Sequence, residues 1–462
     1  MAVIVLLADG LRTDTLRRAL DDGALPAIAR LLQRGGLYEV SSAFPSVTGP
    51  AYTPFLLGRF PGPVGMPGLR WFDRSRRVCA FPNARSYVGH EMRAANTDLD
   101  ASAPTIFELV PDSAAAMTII TRGLSQRERL MSLSARTALR AAVTHFGGRV
   151  DRWLDVDRET SAKLVRRVRD VHPSFVFAAF MGVDKISHAR GQDDATIVDA
   201  LRIVDDTVRA LEAERDPNTT RIWLASDHGH SPVARHDDLQ LMLTARGLRV
   251  MAHPWVYGPA DVAVMVSGNA MAHLYVELRP RQRPFWTSLA SRWSDLVHWL
   301  LTRESVDLLV LPVDGTRCTV WSRNGGHADV GWSASGFSYH MRDGDPLAIG
   351  RDLHNVSALA AHEATIGTDH PDSVVQIAKL ASSERCGDIV LSATRGWDFR
   401  ERYEPIPHVS SHGALHRDHM LVPLLLDAPP ARPPRRTADV MPSALAALGI
   451  AVPDGLDGES FV

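Results

Sequence analysis

Along the first half of the chain, apolar residues come in unbroken runs rather than in alternation: Val3-Ile-Val-Leu-Leu-Ala8, Phe175-Val-Phe-Ala-Ala-Phe180 and Ile222-Trp-Leu-Ala225. A strand with one face in water alternates polar and apolar positions, so these runs predict strands covered on both faces, as in a parallel sheet. Between them the spacing turns helical. Ile197, Leu201, Val204, Val208 and Leu211 fall on one stripe of 194–214, as expected of a helix laid on a sheet. The first half reads as strand 2–8, helices within 13–34, strand 37–43, a short helix after residue 48 and a Gly- and Pro-rich loop to 70. Strand 115–121, helix 157–171, strand 175–181, helix 194–214 and strand 221–226 follow. This alternation predicts an α/β fold, with a doubly wound, mostly parallel central sheet carrying helices on both faces.

The pattern loosens after residue 232. Val262–Asn269 and His273–Glu277 read as an antiparallel pair, Phe285–Leu301 as a helix, and Val306–Pro312 and Cys318–Trp321 as further strands. The expected organisation is a core formed by 1–234 and 386–462, with a smaller α+β insertion at 235–385 that partly covers the site. Gly387–Ser392 is the expected return to the core, and Trp321, Trp332 and the turn Gly344-Asp-Pro-Leu347 are insertion groups that could face a leaving group or simply pack.

Three of the core runs end on an aspartate: Asp9, Asp184 and Asp227. The carboxyl ends of parallel strands line the ligand crevice, where three carboxylates repel one another unless cations sit between them. Two of these aspartates bring histidines. Asp184 and His188 are four apart, on one face of a helical turn, and Asp227-His228-Gly229-His230 places both ligand types side by side, His230 reading as peripheral. His412, in Ser410-Ser-His412-Gly413, precedes the apolar run 420–426 and stands among His408, His416 and His419. Mixed Asp and His ligation suits zinc first and manganese second, rather than calcium or magnesium.

In Ser46-Val-Thr48-Gly49-Pro50, a hydroxyl stands at a helix start that Pro50 tolerates and Gly58 closes. Unpaired backbone N–H groups there favour an alkoxide and a phosphate, and metal contact would lower the hydroxyl pKa, so Thr48 is the candidate nucleophile. Each piece has a plainer reading. An aspartate after a strand can cap a helix, an Asp-x-x-x-His pair can be a solvated helix pair, and Thr48 or Ser46 can be a cap.

The ordered set Asp9, Thr48 with Pro50, Asp184 to His188, Asp227-His228-Gly229 and His412-Gly413 resembles the alkaline phosphatase superfamily, in its type I phosphodiesterase and nucleotide pyrophosphatase branch. The ending Thr437–Ile450 with Asp457-Gly458 is similar to that superfamily's closing helix and tail, so only the middle of the chain is loosely matched. The resemblance implies one metal held by Asp184, His188 and His412, and another by Asp9, Thr48, Asp227 and His228. It also implies in-line attack of Thr48 on phosphorus, a phosphothreonine intermediate and its hydrolysis by water, with the metals about 4 Å apart. Where nucleotide pyrophosphatases carry His-Gly and then an asparagine that holds a nonbridging phosphate oxygen, this chain reads Val64-Gly-Met-Pro-Gly-Leu-Arg70-Trp-Phe-Asp-Arg74. Arg70 or Arg74 could supply the phosphate contact instead, through a guanidinium fork, or lie on the surface.

Composition adds exclusions. A chain of 462 residues, 45% hydrophobic, can bury a large core, and a net charge of −2 carries no nucleic-acid electrostatics. Together with the resemblance, this implies a small phosphate ester as the substrate rather than a nucleic-acid polymer. Lysine occurs only at Lys163, Lys185 and Lys379, which says little about partners. No run reaches membrane-spanning length. Cys79, Cys318 and Cys386 are far apart, with no paired metal spacing, so a reducing, cytoplasmic setting is expected, or export where a leader has been removed. The sequence sets no oligomeric state. Phosphomonoester and phosphonate-ester hydrolysis on the same scaffold are the alternatives to diester chemistry. A sulfatase lacks its Cys/Ser-x-Pro-x-Arg nucleophile here, a phosphoglycerate mutase would use serine, and a non-catalytic binding protein would have lost a ligand.

Overall fold

The computed structural model describes residues 1–75, 84–131, 149–216, 218–253, 259–400 and 408–462, so Cys79 lies outside the described residues. The apolar runs assemble a six-stranded sheet in the order Gly36–Ser41, Leu421–Leu426, Thr220–Ala225, Ala2–Ala8, Phe175–Phe180, Ser113–Ala116. Ala2–Ala8 is parallel to both of its neighbours, with Val3 opposite Phe175 on one side and Arg221 on the other. Only Leu421–Leu426 runs against the rest, and it pairs antiparallel with the strand on either side. Neighbouring strand residues face opposite sides, and Val3, Ile4, Val5, Leu6 and Leu7 are all fully buried, so both faces of the sheet are covered. Removing each such side chain from water contributes roughly 1.5–3 kcal/mol.

Helix Ala195–Glu214 starts at Asp194, whose side chain accepts from the Thr196 N–H. Its expected stripe, Ile197, Leu201, Val204, Val208 and Leu211, is buried, and it packs against helices Pro26–Arg34 and Arg152–Val171. The strand expected at 115–121 is shorter, Ser113–Ala116, because Met117 takes a left-handed φ of 55° and leaves the pleat. At the C-terminus, Val440–Leu448 ends on Gly449 with φ 72°. The tail then returns to pin the segment after Thr48: the Asp457 N–H donates to Gly58 O at 2.8 Å and its carboxylate accepts from the Phe60 N–H at 2.8 Å.

A second sheet of nine strands runs in the order Leu353–Val356, Gly336–Asp343, Gly326–Ser333, Arg317–Ser322, Val306–Pro312, Ile389–Ala393, Met271–Tyr275, Val262–Ser267, Val250–Ala252. The antiparallel pair expected near 262–277 is present, with Val264 opposite Leu274. Gly387–Ser392 does not rejoin the six-stranded sheet. Ile389–Ala393 pairs antiparallel with both Val306–Pro312 and Met271–Tyr275, in the middle of the second sheet. Its apolar run fits this place equally well, since it is buried on both faces there too. The strands at 326–343 escape a sequence reading because few residues, among them Ala328, Val330 and Tyr339, are buried. Cys318 and Cys386 are buried free thiols.

Candidate active site

The ends of three parallel core strands bring Asp9, Asp184 and Asp227 together, all fully buried. Asp9 follows Ala2–Ala8 directly. Gly10, with φ 73°, turns the chain so that its N–H donates to Asp227 Oδ1 at 3.3 Å, and a Cβ there would lie 2.8 Å from His230 Nε2. Gly229 is as confined, since a Cβ would stand 2.1 Å from the Asp418 carbonyl oxygen. Asp184 sits in the first turn of helix Gly182–Arg190, whose start is held by Asp157: its carboxylate accepts from the Met181 and Gly182 N–H groups, both at 2.8 Å.

Thr48 precedes the helix rather than opening it. A 3-10 turn, Pro50–Tyr52, leads into the five-residue helix Thr53–Leu57, which ends on Gly58 as expected. Thr48 Oγ1 donates to Asp9 Oδ1 at 3.1 Å and lies 3.1 Å from His228 Nε2. Ser46, by contrast, is fully buried and its hydroxyl donates to Ala414 O at 2.9 Å. Tyr52, which the sequence reading passed over, donates its hydroxyl to Asp9 Oδ2 at 2.7 Å. No local spacing marks it, because Gly49, with φ 95°, breaks the backbone between Thr48 and the 3-10 turn that carries Tyr52.

The histidines complete the cluster. His188 Nε2 lies 3.3 Å and His412 Nε2 3.5 Å from Asp184 Oδ1. His230, expected to be peripheral, is fully buried with Nε2 2.9 Å from the same oxygen. The other Asp184 oxygen accepts from Lys185 Nζ at 2.7 Å. The His228 and His412 rings stack at 3.7 Å. His419 uses both ring nitrogens structurally, toward Ser231 Oγ at 2.9 Å and the Ala414 N–H at 3.0 Å. His408 stacks on His188 at 4.3 Å. The second sheet reaches this cluster through one hairpin tip, Gly268-Asn269: Asn269 Nδ2 lies 2.6 Å from His408 Nδ1, and a Cβ on Gly268 would lie 2.9 Å from His412 Nδ1.

Burial, and then the charge of Asp9, push the Asp227 carboxyl above its ordinary range. Burial alone would lower His228, but Asp227 and Asp9 raise it instead. Burial pushes His230 down to about 3. Such opposed shifts mark acidic and basic groups crowded together away from solvent.

Two donor sets have ligand atoms within 4.8 Å of one another: Asp184, His228, His230 and His412, and Asp9, Asp227 and His228. Asp227 Oδ2 is buried without a hydrogen-bond partner. An orphaned carboxylate oxygen beside imidazoles is the donor chemistry of a divalent cation, and these residues fit one.

Arg70 and Arg74 are buried. Arg70 Nη1 lies 3.4 Å from Val266 O. Arg74 Nη2 meets both Asp388 oxygens at 2.7 and 2.9 Å, and its Nη1 meets Glu277 O, so its fork is committed to the second sheet.

The chain belongs to the type I phosphodiesterase/nucleotide pyrophosphatase family, whose model matches residues 3–415. This is a family of phosphoric ester hydrolases, and the chain is an enzyme of that class, on a fold shared with divalent-metal hydrolases of the alkaline phosphatase superfamily. Among solved structures it is similar to phosphonoacetate hydrolase from Sinorhizobium meliloti 1021 in complex with phosphonoacetate, at 16% identity and TM-score 0.60, covering 97% of this chain and 96% of that one. It is also similar to human ectonucleotide pyrophosphatase/phosphodiesterase 5, at 15% identity and TM-score 0.59, covering 99% and 97%. The murine counterpart, as an inactive threonine-to-alanine variant in complex with AMP, matches at 14% identity and TM-score 0.59, covering 99% and 97%. No curated protein matches the chain in sequence. Among the described residues no helix is long and apolar enough to cross a membrane.

Tyr52→Phe is expected to keep the fold and weaken the centre. Groups that orient a metal ligand typically contribute 10–100-fold to affinity or rate, so kcat should fall by about 10-fold. Steady-state kinetics beside an unchanged circular dichroism spectrum checks this.

Proposed function

We propose that this chain hydrolyses small phosphodiesters, nucleotide pyrophosphate-type substrates included, with Thr48 as the nucleophile. The observation that carries the reading is the place of Thr48 Oγ1, 3.1 Å from Asp9 Oδ1 and 3.1 Å from His228 Nε2, at the seam between the two donor sets. One cation would be held by Asp9, Asp227 and His228 with the Thr48 oxygen, the other by Asp184 and His412 with His188 or His230. Three or more imidazoles beside carboxylates favour zinc over manganese. When bound, such ions supply charge that favours the alkoxide and the phosphate oxygens.

The residues of the chain do the rest. The Thr48 hydroxyl donates to Asp9 Oδ1, which fixes its rotor, and Tyr52 holds the other Asp9 oxygen. Once deprotonated, the Thr48 oxygen forms a bond to phosphorus as the bond to the leaving ester oxygen breaks. Water then cleaves the phosphothreonine and restores the hydroxyl. The centre itself is dry, with Asp9, Asp184, Asp227, His228 and His230 all fully buried, so charge developing on phosphate is stabilised by fixed groups rather than by solvent.

Side-by-side rates on bis-p-nitrophenyl phosphate and p-nitrophenyl phosphate test the diester preference. A kcat/KM ratio of about 10 or more for the diester is expected, equivalent to ~1.4 kcal/mol of differential transition-state binding. A ratio favouring the monoester would assign the centre to phosphomonoesters instead.

A further inference from the structure

A second group of metal-ligating side chains stands at the far edge of the nine-stranded sheet, outside the centre described above. Strands Gly336–Asp343 and Leu353–Val356 are antiparallel, with Tyr339 opposite Leu353, which sets His340 across from Asp352. Asp352 immediately precedes the strand Leu353–Val356 and His354 lies two residues beyond it, the spacing at which side chains of extended backbone point the same way. Two donors spaced by two on one strand, with a third opposite them on the next, bring three ligand atoms to one point above a pleated sheet. The geometry agrees: the His340 and His354 rings are 4.9 Å apart, His340 Nδ1 is 3.6 Å from Asp352 Oδ2, and one ligand atom from each residue lies within 4.8 Å of the other two.

The carboxylate is oriented for the task. Asp352 Oδ1 accepts from the Met341 N–H at 2.9 Å, which leaves Oδ2 toward His340. A bulge follows at once: the register slips between Phe337 and Tyr339, and Asn355 takes φ 50° with its N–H on Ser338 Oγ at 3.0 Å. Such a bulge re-aims a side chain at a sheet edge, here the neighbouring His354. Asp329, across from His340 on its other side, is taken up by Arg342 at 2.8 Å and does not compete. His340 and Asp352 are 36% and 37% exposed, so solvent has access for further coordination.

We propose that His340, Asp352 and His354 form a separate surface site for a first-row divalent cation, zinc above all, with three protein ligands and a water-accessible fourth position. Two imidazoles and one carboxylate match zinc's preference for nitrogen and carboxylate donors. Six inter-strand steps separate the edge strand Leu353–Val356 from the strand Met271–Tyr275 that adjoins the catalytic hairpin tip, which is about 29 Å. A cation here leaves the reaction centre untouched.

The test compares the parent protein with the double variant His340→Ala/His354→Ala, both stripped with chelator, dialysed against zinc and assayed by elemental analysis. The variant should bind one zinc equivalent fewer, with its rate on bis-p-nitrophenyl phosphate within two-fold of the parent. Because the quantity read is a difference between matched proteins, it holds whatever the catalytic centre binds. Equal zinc content in the two proteins would overturn the proposal and leave His340 and Asp352 as a surface ion pair. As an independent reading, cobalt titration of the parent should show an additional visible absorbance step that the variant lacks, and identical titrations would count against the site.

Discussion

Thr48→Ala lowers kcat by about 10³-fold or more, the expected loss when the attacking group of a covalent mechanism is deleted, while zinc content by elemental analysis stays within a fraction of an equivalent of the parent. The hydroxyl is one contributor among many donors around the cations, so its loss removes the attack and leaves the cage. Structure and stability should hold as well, since the methyl of alanine fits wherever threonine did. Near-normal turnover in this variant would sink the nucleophile assignment. Ser46 offers no ready substitute, because it is fully buried and its hydroxyl is committed to Ala414 O.

Asp227→Asn acts through charge instead of attack, and its effects on activity and on stability should have opposite signs. Asp227 carries the buried oxygen with no hydrogen-bond partner. Replacing the carboxylate by an amide should weaken zinc retention by at least about 100-fold, the upper end of what even outer groups of a zinc site contribute, and turnover should disappear with it. The metal-free variant, however, should melt at a higher temperature than metal-free parent. Burial, and then Asp9, raise the folded-state pKa of Asp227 above its unfolded value. Below the unfolded pKa this group therefore favours the folded state, and that contribution is lost as pH rises through the folded value. At neutral pH the unfolded parent carries Asp227 ionised, and folding without metal must either add a proton to it or bury the anion, a cost that the neutral amide of the variant does not bear. Thermal melts of both proteins, with and without zinc, read the sign directly; a lower melting temperature for the metal-free variant would contradict it.

Much of the core was legible because its physics is local. Continuous apolar runs mark strands buried on both faces, and Asp9, Asp184 and Asp227 stand out because a carboxylate at the end of such a run needs a reason. His188 followed from its spacing to Asp184 and His412 from its glycine neighbour, which resembles the family's His-Gly, and all of these side chains meet in one place. What stayed hidden depends on partners distant in sequence. His230 looked peripheral because nothing nearby says that Gly10 leaves room for its ring. Asp157 reads as one more polar residue of helix Arg152–Val171, yet it caps the helix that carries Asp184. Arg74 invited a phosphate until Asp388, far along the chain, took its fork. Strands Gly326–Ser333 and Gly336–Asp343 have too few buried positions for alternation to stand out.

The strand Ile389–Ala393 has a bearing on any attempt to trade parts between relatives. It supplies an inner rung of the nine-stranded sheet, flanked by Val306–Pro312 and Met271–Tyr275, although the chain passes soon afterwards to His412. Excising 235–385 as a cassette would strand that rung with two unpaired edges, an invitation to self-association. A transplant that carries 389–393 along with the cap keeps the ladder whole, and the natural seam for such grafting lies beyond Ala393 rather than before it.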